Sequence, residues 1–202
     1  NDSWISKFKR KKKKYDFVSL GAKEIKFYPN RLHFENTLKK SYLNEENKII
    51  TAEHPGYKYN NKDKKKYFGK RYLKLLSESH FMITDTTDMN IPLIKHLECM
   101  YYGCVMVCDK IYFDKKNKLK KGYNYIEVNR ENVEKTIAYL KQNKNKTLKI
   151  KDNAYKTYQE YYSNVCRNVG KPQNKRKSQY YNSVLQLKAI RIQPNIENQH
   201  VM

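Results

Sequence analysis

Five short apolar runs that alternate with stretches of helical periodicity constrain the fold of this chain more than any other feature. The runs cover residues 16–20, 48–52, 81–85, 104–108 and 123–128. Helical patterns cover residues 30–43, 68–80, 91–102, 131–143 and 148–164. Short apolar runs bounded by turn residues indicate buried strands, and strands that alternate with helices form parallel sheets covered on both faces. We therefore predict an α/β fold, a Rossmann-like parallel sheet flanked by helices.

The length and the charge pattern divide the chain into three parts. A chain of 202 residues is enough for one domain and its flanking segments. Residues 1–14 end in six consecutive basic residues, which predicts a basic linker or lead-in. Residues 15–164 form the predicted domain, and residues 165–202 form a basic tail that we expect to be partly helical or disordered.

The chain is strongly basic, with 43 Lys and Arg against 20 Asp and Glu and a net charge of +23. Such a charge attracts phosphate groups, nucleic acid and acidic membrane surfaces. Most of the excess is Lys, which occurs together with many Asn, Tyr and Ile, as AT-rich coding sequences produce. Both origins of the charge, selection for a polyanion and base composition, stay open. No apolar run approaches the roughly 20 residues that span a bilayer, so we expect at most peripheral membrane contact.

The cysteines indicate neither a metal site nor a disulfide framework. Cys99, Cys104 and Cys108 lie within a predicted buried helix and strand, and Cys166 lies in the tail. Zinc sites with cysteine ligands usually pair them as C-x-x-C, and this spacing is absent. We expect reduced core thiols, no metal and a cytoplasmic protein.

Polar residues after the third strand are the best candidates for ligand binding. In parallel sheets, ligands bind at the carboxyl ends of the strands near the point where the strand order switches. Thr86, Thr87 and Asn90 precede a helix whose first backbone N–H groups and dipole favour a diphosphate. Lys95 and Glu98 share one face of that helix. Glu98 could accept both hydroxyl protons of a ribose, or the two residues could form an exposed ion pair of little energetic weight.

The segment from Pro92 to Val107 resembles part of a known family. In the C-terminal domain of GT-B glycosyltransferases this stretch has the form P-x-K-x-x-E-x-M-A-x-G-x-P-V-V, and the chain shares the glutamate (Glu98), the methionine two residues on, the glycine and the apolar strand. The resemblance implies one half of a GT-B architecture, with Glu98 on the ribose of a nucleotide-sugar. Many members carry a glutamate eight residues earlier. The residue here is Asn90, which can hydrogen-bond a sugar hydroxyl but carries no charge.

Weaker matches extend the resemblance over about residues 15–164. The strand that ends at Gly21, followed by Tyr28-Pro-Asn-Arg31, is similar to the first strand and the Y-P-x-R pattern of the spore-maturation-type branch. Lys23 and Arg31 are candidates for the family's basic diphosphate ligand. His54, in a turn-rich loop after the second strand, could contact a phosphate or act as a base. The candidate donor-binding residues are therefore Gly21, Arg31, His54, Thr86, Thr87, Asn90, Lys95 and Glu98, with the catalytic residues unknown.

The resemblance implies a metal-independent glycosyltransferase of the hexosyltransferase type. The nucleotide-sugar is its substrate, and no cofactor is expected. The acceptor is a sugar, lipid or protein, and an N-terminal domain or partner chain would complete the enzyme. A non-catalytic basic α/β module that binds nucleic acid is the alternative. The tyrosines at residues 155–162 recur at helical spacing and are interpreted as the apolar stripe of the last helix, although tyrosines interleaved with lysines can also hold single strands.

Overall fold

A computed structural model describes residues 12–53, 69–87, 92–112 and 118–162 of the chain. Its strands are β1 (Tyr15–Gly21), β2 (Ile49–Glu53), β3 (Ser79–Ile83), β4 (Val105–Cys108) and β5 (Ile126–Glu127). Its α-helices are α1 (Arg31–Ser41), α2 (Lys70–Glu78), α3 (Ile94–Tyr102), α4 (Val133–Gln142) and α5 (Leu148–Thr157). A π-helical turn, Tyr158–Tyr162, continues α5.

The five strands form one parallel sheet with the order β2-β1-β3-β4-β5. Phe81 of β3 pairs in register with Phe17 of β1 on one side and with Val105 of β4 on the other. The chain therefore passes from β1 outward to β2 and returns to β3 on the opposite side of β1. This switch in strand order opens a crevice at the carboxyl ends of β1 and β3. The prediction of a Rossmann-like parallel sheet flanked by helices is confirmed.

Helices cover both faces of the sheet, which is why β4 is buried along its whole length. On one face, Phe17 and Phe81 stack with ring centroids 4.8 Å apart, within a core to which α1 and α4 contribute. On the other face, the sulfur of Cys99 in α3 lies 3.3 Å from that of Met82 in β3. Helix α3 packs between α2 and α5. Burial on both faces requires the continuous apolar strands that the sequence contains.

Several element boundaries differ from the sequence predictions. Helix α2 ends at Glu78 and β3 begins at Ser79, two residues before the predicted strand, so that His80 is in a strand and not in a helix. Helix α3 begins at Ile94, three residues later than predicted. The predicted strand 123–128 keeps only two residues, because the amide of Asn124 donates to the carbonyl of Lys118 at 2.8 Å and closes a turn.

Gly103 ends a helix, and three cysteines lie in the core. Gly103 ends α3 with φ at 66°, a left-handed conformation that glycine adopts without a Cβ penalty. Cys99, Cys104 and Cys108 are buried and unbridged, while Cys166 lies outside the described residues. No three of the described His, Cys, Asp and Glu side chains cluster in a way that could bind a metal ion. None of the described helices has the length and apolarity to cross a membrane.

The end of the basic lead-in contacts the domain directly. The ammonium of Lys13 donates to the carbonyl of Gly103 at 2.7 Å and to that of Ser77 at 3.1 Å. These carbonyls lie at the carboxyl ends of α3 and α2, where helix dipoles favour a positive charge. Lys14 pairs with Glu78 at 3.2 Å, and Glu78 is buried. Residues 1–11 and 163–202 lie outside the described residues.

Candidate functional site

The carboxyl ends of β1, β3 and β4 bring charged residues to the switch point of the sheet. Gly21 is the last residue of β1, Asp85 follows β3 by two residues, and Asp109 follows β4 directly. Arg31 begins α1 and Lys95 lies in the first turn of α3. Since these strand ends share one edge of a parallel sheet, residues distant in sequence become neighbours there.

Arg31 and Asp85 form a buried ion pair. The guanidinium Nη2 lies 2.7 Å from the carboxylate Oδ1, and the side chains are 2% and 0% exposed. The other guanidinium nitrogen, Nη1, donates to the carbonyl of Ala22 at 2.7 Å, and the guanidinium carbon lies 3.9 Å from the centre of the Tyr28 ring. Nε of Arg31 is buried without a hydrogen-bond partner among the described residues. Asp85 and Ala22 thus hold the guanidinium on two sides, and its Nε–H remains available as a hydrogen-bond donor.

Lys95 lies beside Arg31, over the bare Cα of Gly21. Its ammonium donates to the carbonyl of Leu20 at 2.9 Å. A Cβ on Gly21 would lie 2.5 Å from this ammonium and 2.7 Å from Nη1 of Arg31. Gly21 also has φ at 149°, which side chains rarely tolerate. The glycine therefore lets two cationic groups approach the same point of the backbone.

The surroundings of Lys95 disfavour its charged form. Burial lowers its pKa to about 7, and the neighbouring Arg31 acts in the same direction, while Asp85 and Glu98 oppose it. Asp85 is already paired with Arg31, and burial raises the pKa of that carboxyl. Arg31 and Lys95 are the basic groups of the site, and the carboxylates of Asp85 and Glu98 lie near them. An anionic ligand beside Lys95 would favour its charged form.

Glu98 lies on the same face of α3 as Lys95, as the sequence predicted. Its carboxylate accepts a hydrogen bond from the hydroxyl of Tyr72 in α2. Burial raises the pKa of Glu98, whereas Tyr72 and Lys95 act to lower it. The side chain is only partly buried, so it is neither a core residue nor a freely solvated one.

The loop after β3 is held by Asp109. The backbone N–H of Thr86 donates to Oδ1 of Asp109 at 2.7 Å, and the amide of Asn30 donates to Oδ2 at 2.9 Å. The side chain of Thr86 is fully buried. The hydroxyl of Thr87 is buried without a hydrogen-bond partner in the described part of the chain, so a ligand in the crevice could use it.

His96 fixes the start of α3. Its Nδ1 lies 2.9 Å from the backbone nitrogen of Leu93 and 3.1 Å from the carbonyl oxygen of the same residue. Burial and the neighbouring Lys95 lower the pKa of His96 to about 3. The ring is completely buried.

The site unites some of the predicted residues and leaves others outside the described ranges. Gly21, Arg31 and Lys95 meet at one point, Glu98 lies next to Lys95, and Thr86 and Thr87 form the adjoining loop. His54 and Asn90 lie outside the described residues. Lys23, the other candidate diphosphate ligand, pairs instead with the buried Glu35 at 2.9 Å. The sequence analysis missed the roles of Tyr72, Asp85 and Asp109. An acidic residue directly after a predicted strand indicates a side chain at the edge of the sheet where ligands bind, and this signal could have identified Asp109.

Comparisons with known proteins identify the fold. No family model and no curated protein sequence matches the chain. The C-terminal domain of the glycosyl transferase group 1 family protein LpcC from Francisella tularensis matches with a TM-score of 0.51 and 11% identity, over 80% of this chain and 91% of that domain. The chain has the same fold as one half of the GT-B glycosyltransferases.

Two larger structures contain the same GT-B half. The GtfA/B complex matches with a TM-score of 0.54 and 9% identity, over 89% of this chain and 37% of the other. A TarM mutant from S. aureus, in complex with fondaparinux, alpha-GlcNAc-glycerol and UDP, matches with a TM-score of 0.52 and 12% identity, over 76% of this chain and 34% of the other. This chain thus spans about a third of those chains. At these identities the likeness establishes the fold alone. The chemistry has to be inferred from the residues of the site.

Proposed function

We propose that this chain is the donor-binding half of a glycosyltransferase and holds a nucleoside-diphosphate sugar at the ends of β1 and β3. One observation carries the proposal: the cationic groups of Lys95 and Arg31 converge on the bare backbone of Gly21. They do so at the switch point of a GT-B half, where parallel sheets bind ligands.

The charge of the site fits a diphosphate. Lys95 and Arg31 supply two basic groups at one point of the backbone, and Nε of Arg31 is buried without a hydrogen-bond partner among the described residues. The first turn of α3, which carries Lys95, adds the partial positive charge of a helix N-terminus. Fixed cations of this kind stabilise the departing nucleoside diphosphate without reorganisation during the reaction. We therefore propose a metal-independent transfer in which these groups offset the charge of the leaving group.

The remaining residues would contact different parts of the donor. Glu98 would accept the ribose hydroxyls, and the free hydroxyl of Thr87 would donate to the diphosphate or the sugar. Thr86 would act through its backbone, because its side chain is buried. We keep Asn90 and His54 as proposed contacts of the sugar and the phosphate. The Y-P-x-R pair, Tyr28 and Arg31, lies at the site, which supports the spore-maturation-type branch.

The complete reaction requires an acceptor-binding half. We propose transfer of a hexose from the nucleotide-sugar to a sugar, lipid or protein acceptor. Because GT-B enzymes contain two Rossmann-like halves, a second domain or a partner chain would bind this acceptor and supply the catalytic base.

Isothermal titration with UDP, GDP and ADP tests the donor site. We expect saturable binding of at least one nucleoside diphosphate, lost in Glu98→Gln. Glu127→Gln is the matched control, since this carboxylate also contacts a lysine and a tyrosine hydroxyl but lies on β5. Binding of none of the three would refute the proposal. Steeply salt-dependent binding of a single-stranded oligonucleotide, unaffected by Glu98→Gln, would favour a nucleic-acid-binding module instead.

A further inference from the structure

Asn30 is the N-cap residue of α1, but its side chain does not cap the helix. An asparagine at this position usually accepts an N–H of the first turn. Here Asp85 accepts the N–H groups of Asn30 and Arg31 instead. The amide nitrogen of Asn30 donates to Oδ2 of Asp109 at 2.9 Å, and its amide oxygen accepts a hydrogen bond from Nε of Arg130 at 2.9 Å. The amide therefore joins the end of β4 to the loop between β5 and α4.

Arg130 is exposed, yet two hydrogen bonds hold it against the turn that precedes α1. Its Nε donates to Asn30, and its Nη2 donates to the carbonyl of Pro29 at 2.8 Å. The loop that carries Arg130 is itself closed by Asn129, whose side chain accepts the N–H of Glu131 at 3.1 Å. The guanidinium thus joins two segments of the chain that are 100 residues apart.

Helix stability does not explain a cation at this position. Arg130 lies two residues before the N-cap of α4 and contacts the turn before α1, so its charge is near the N-termini of two helices. Helix dipoles disfavour a cation at an N-terminus, and the contacts of an exposed charged side chain contribute little to stability. The role of Arg130 therefore lies in the residues that its contacts hold.

The contacts continue from Asn30 into the donor crevice. One oxygen of Asp109 accepts the amide of Asn30, and the other accepts the backbone N–H of Thr86 at 2.7 Å. Asp109 is 8% exposed and Thr86 is 0% exposed, so these contacts lie out of water. The next residue, Thr87, has the buried hydroxyl that we assign to the donor. Because both oxygens of Asp109 are engaged, loss of one contact frees the carboxylate to rotate and weakens the other.

We propose that Arg130 and Asn30 are positioning residues of the donor site. Arg130 fixes the amide of Asn30, and this amide fixes the carboxylate of Asp109. Asp109 in turn holds the loop of Thr86 and Thr87 in the geometry that binds the donor. The consequence for the donor rests on the proposed function, whereas the contacts can be tested without a ligand.

Two variants break these contacts at different points. Arg130→Gln removes the guanidinium. Asn30→Ser removes the amide but keeps a residue type that is favoured at an N-cap, so that α1 can still begin at Arg31. Arg71→Gln is the matched control, because Arg71 is also exposed and lies on α2.

Hydrogen exchange at the Thr86 amide, measured without ligand, tests the contacts. We expect exchange to be about fivefold faster in Arg130→Gln and in Asn30→Ser, as for the loss of one hydrogen bond, and unchanged in Arg71→Gln. Urea unfolding separates positioning from stability. We expect Arg130→Gln to keep the midpoint of the parent, because the variant removes a cation near two helix N-termini. Unchanged exchange in Arg130→Gln, or faster exchange with an equally lowered stability, overturns the inference.

The Nε–H signal of Arg130 in a nitrogen-15 spectrum tests the coupling to a ligand. Its absence from Arg130→Gln assigns the signal, and UDP, GDP and ADP are added in turn at concentrations that saturate each protein. Because coupling between two places is reciprocal, a ligand held by the Thr86 loop changes the surroundings of Arg130. We expect the nucleoside diphosphate that binds to shift this signal in the parent and to cause no shift in Asn30→Ser.

The outcomes separate the positioning role from the donor site. A shift that persists in Asn30→Ser shows that the ligand reaches Arg130 by another route, and it overturns the inference. Binding without a shift in the parent also overturns it and leaves the donor site standing. Binding of none of the three nucleotides overturns the donor site, while exchange at Thr86 still decides whether Arg130 positions the loop.

Discussion

The carboxylate of Asp85 binds both the side chain and the backbone of Arg31. One oxygen lies 2.7 Å from the guanidinium, and the other accepts the N–H of Arg31 at 2.9 Å and that of Asn30 at 3.1 Å. One side chain at the end of β3 thus fixes the start of α1, where the N-cap residue Asn30 makes no capping hydrogen bond with its side chain. The same carboxylate holds the arginine that we place at the diphosphate.

Asp85→Ala should destabilise the protein by about 3–5 kcal/mol, because removal of one partner leaves a buried charge uncompensated. The free energy of unfolding in urea, followed by circular dichroism, measures this change. Lys121→Ala is the control: Lys121 pairs with Glu127 but is 67% exposed, so its loss should change stability by about 0–1 kcal/mol. Equal unfolding curves for Asp85→Ala and the parent would contradict the buried pair.

Gly21→Ala should weaken nucleoside diphosphate binding by roughly tenfold or more, because the added methyl displaces Lys95 and Arg31 from their shared position. Calorimetry with UDP measures the loss. Gly122→Ala controls for backbone strain, since Gly122 also has positive φ but its Cβ would meet no atom within 4 Å. If both alanine variants lose the same affinity, the crowding at Gly21 is not the cause.

Nucleoside diphosphate binding should take up a proton above about pH 7. The free Lys95 has a pKa of about 7, and a bound diphosphate favours its charged form. At about pH 8 most free Lys95 is neutral, so uptake approaches one proton, and affinity falls as pH rises. Calorimetry in two buffers of different ionisation enthalpy counts the protons.

Two lysine variants decide where that proton goes. Lys95→Met should bind more weakly and take up no proton. Lys39→Met should behave like the parent, because Lys39 is 48% exposed and pairs with Glu35. Proton uptake that persists in Lys95→Met would assign the linkage to another group.

Asp109→Ala should loosen the loop that follows β3. The variant leaves the N–H of Thr86 and the amide of Asn30 without their acceptor, at a cost of about 1–3 kcal/mol. Hydrogen exchange at the Thr86 amide should accelerate, whereas Asp152→Ala on the exposed side of α5 should leave it unchanged. Unaltered exchange in Asp109→Ala would show that another contact holds the loop.

The sequence predicted the fold well because burial on both faces of a parallel sheet leaves a local signature. The continuous apolar runs at β1, β3 and β4 and the helical stripes between them follow directly from this burial. The boundaries of the elements differ from the predicted ones because tertiary contacts set them. Ser79 and His80 continue the helical pattern of α2, yet pairing with β1 draws Ser79 into β3 opposite Tyr15.

The sequence predicted those parts of the site that a motif or a local spacing encodes. It missed the contacts that form only in the folded protein. The spacing of Lys95 and Glu98 places them on one helix face, so the sequence alone predicted their proximity. The pairing of Arg31 with Asp85 joins residues 54 apart, and that of Tyr72 with Glu98 joins two helices. No periodicity encodes such contacts. They arise only when the fold brings the carboxyl ends of the strands and the packed helices together.

Lys13 has a practical consequence for anyone who shortens this protein. A truncation placed at the first strand would cut away the ammonium that spans the ends of two helices, Ser77 on one and Gly103 on the other. One of those helices carries Tyr72 and the other carries Lys95 and Glu98. Removal of the basic residues before β1 would therefore weaken the support of both helices that flank the proposed donor site.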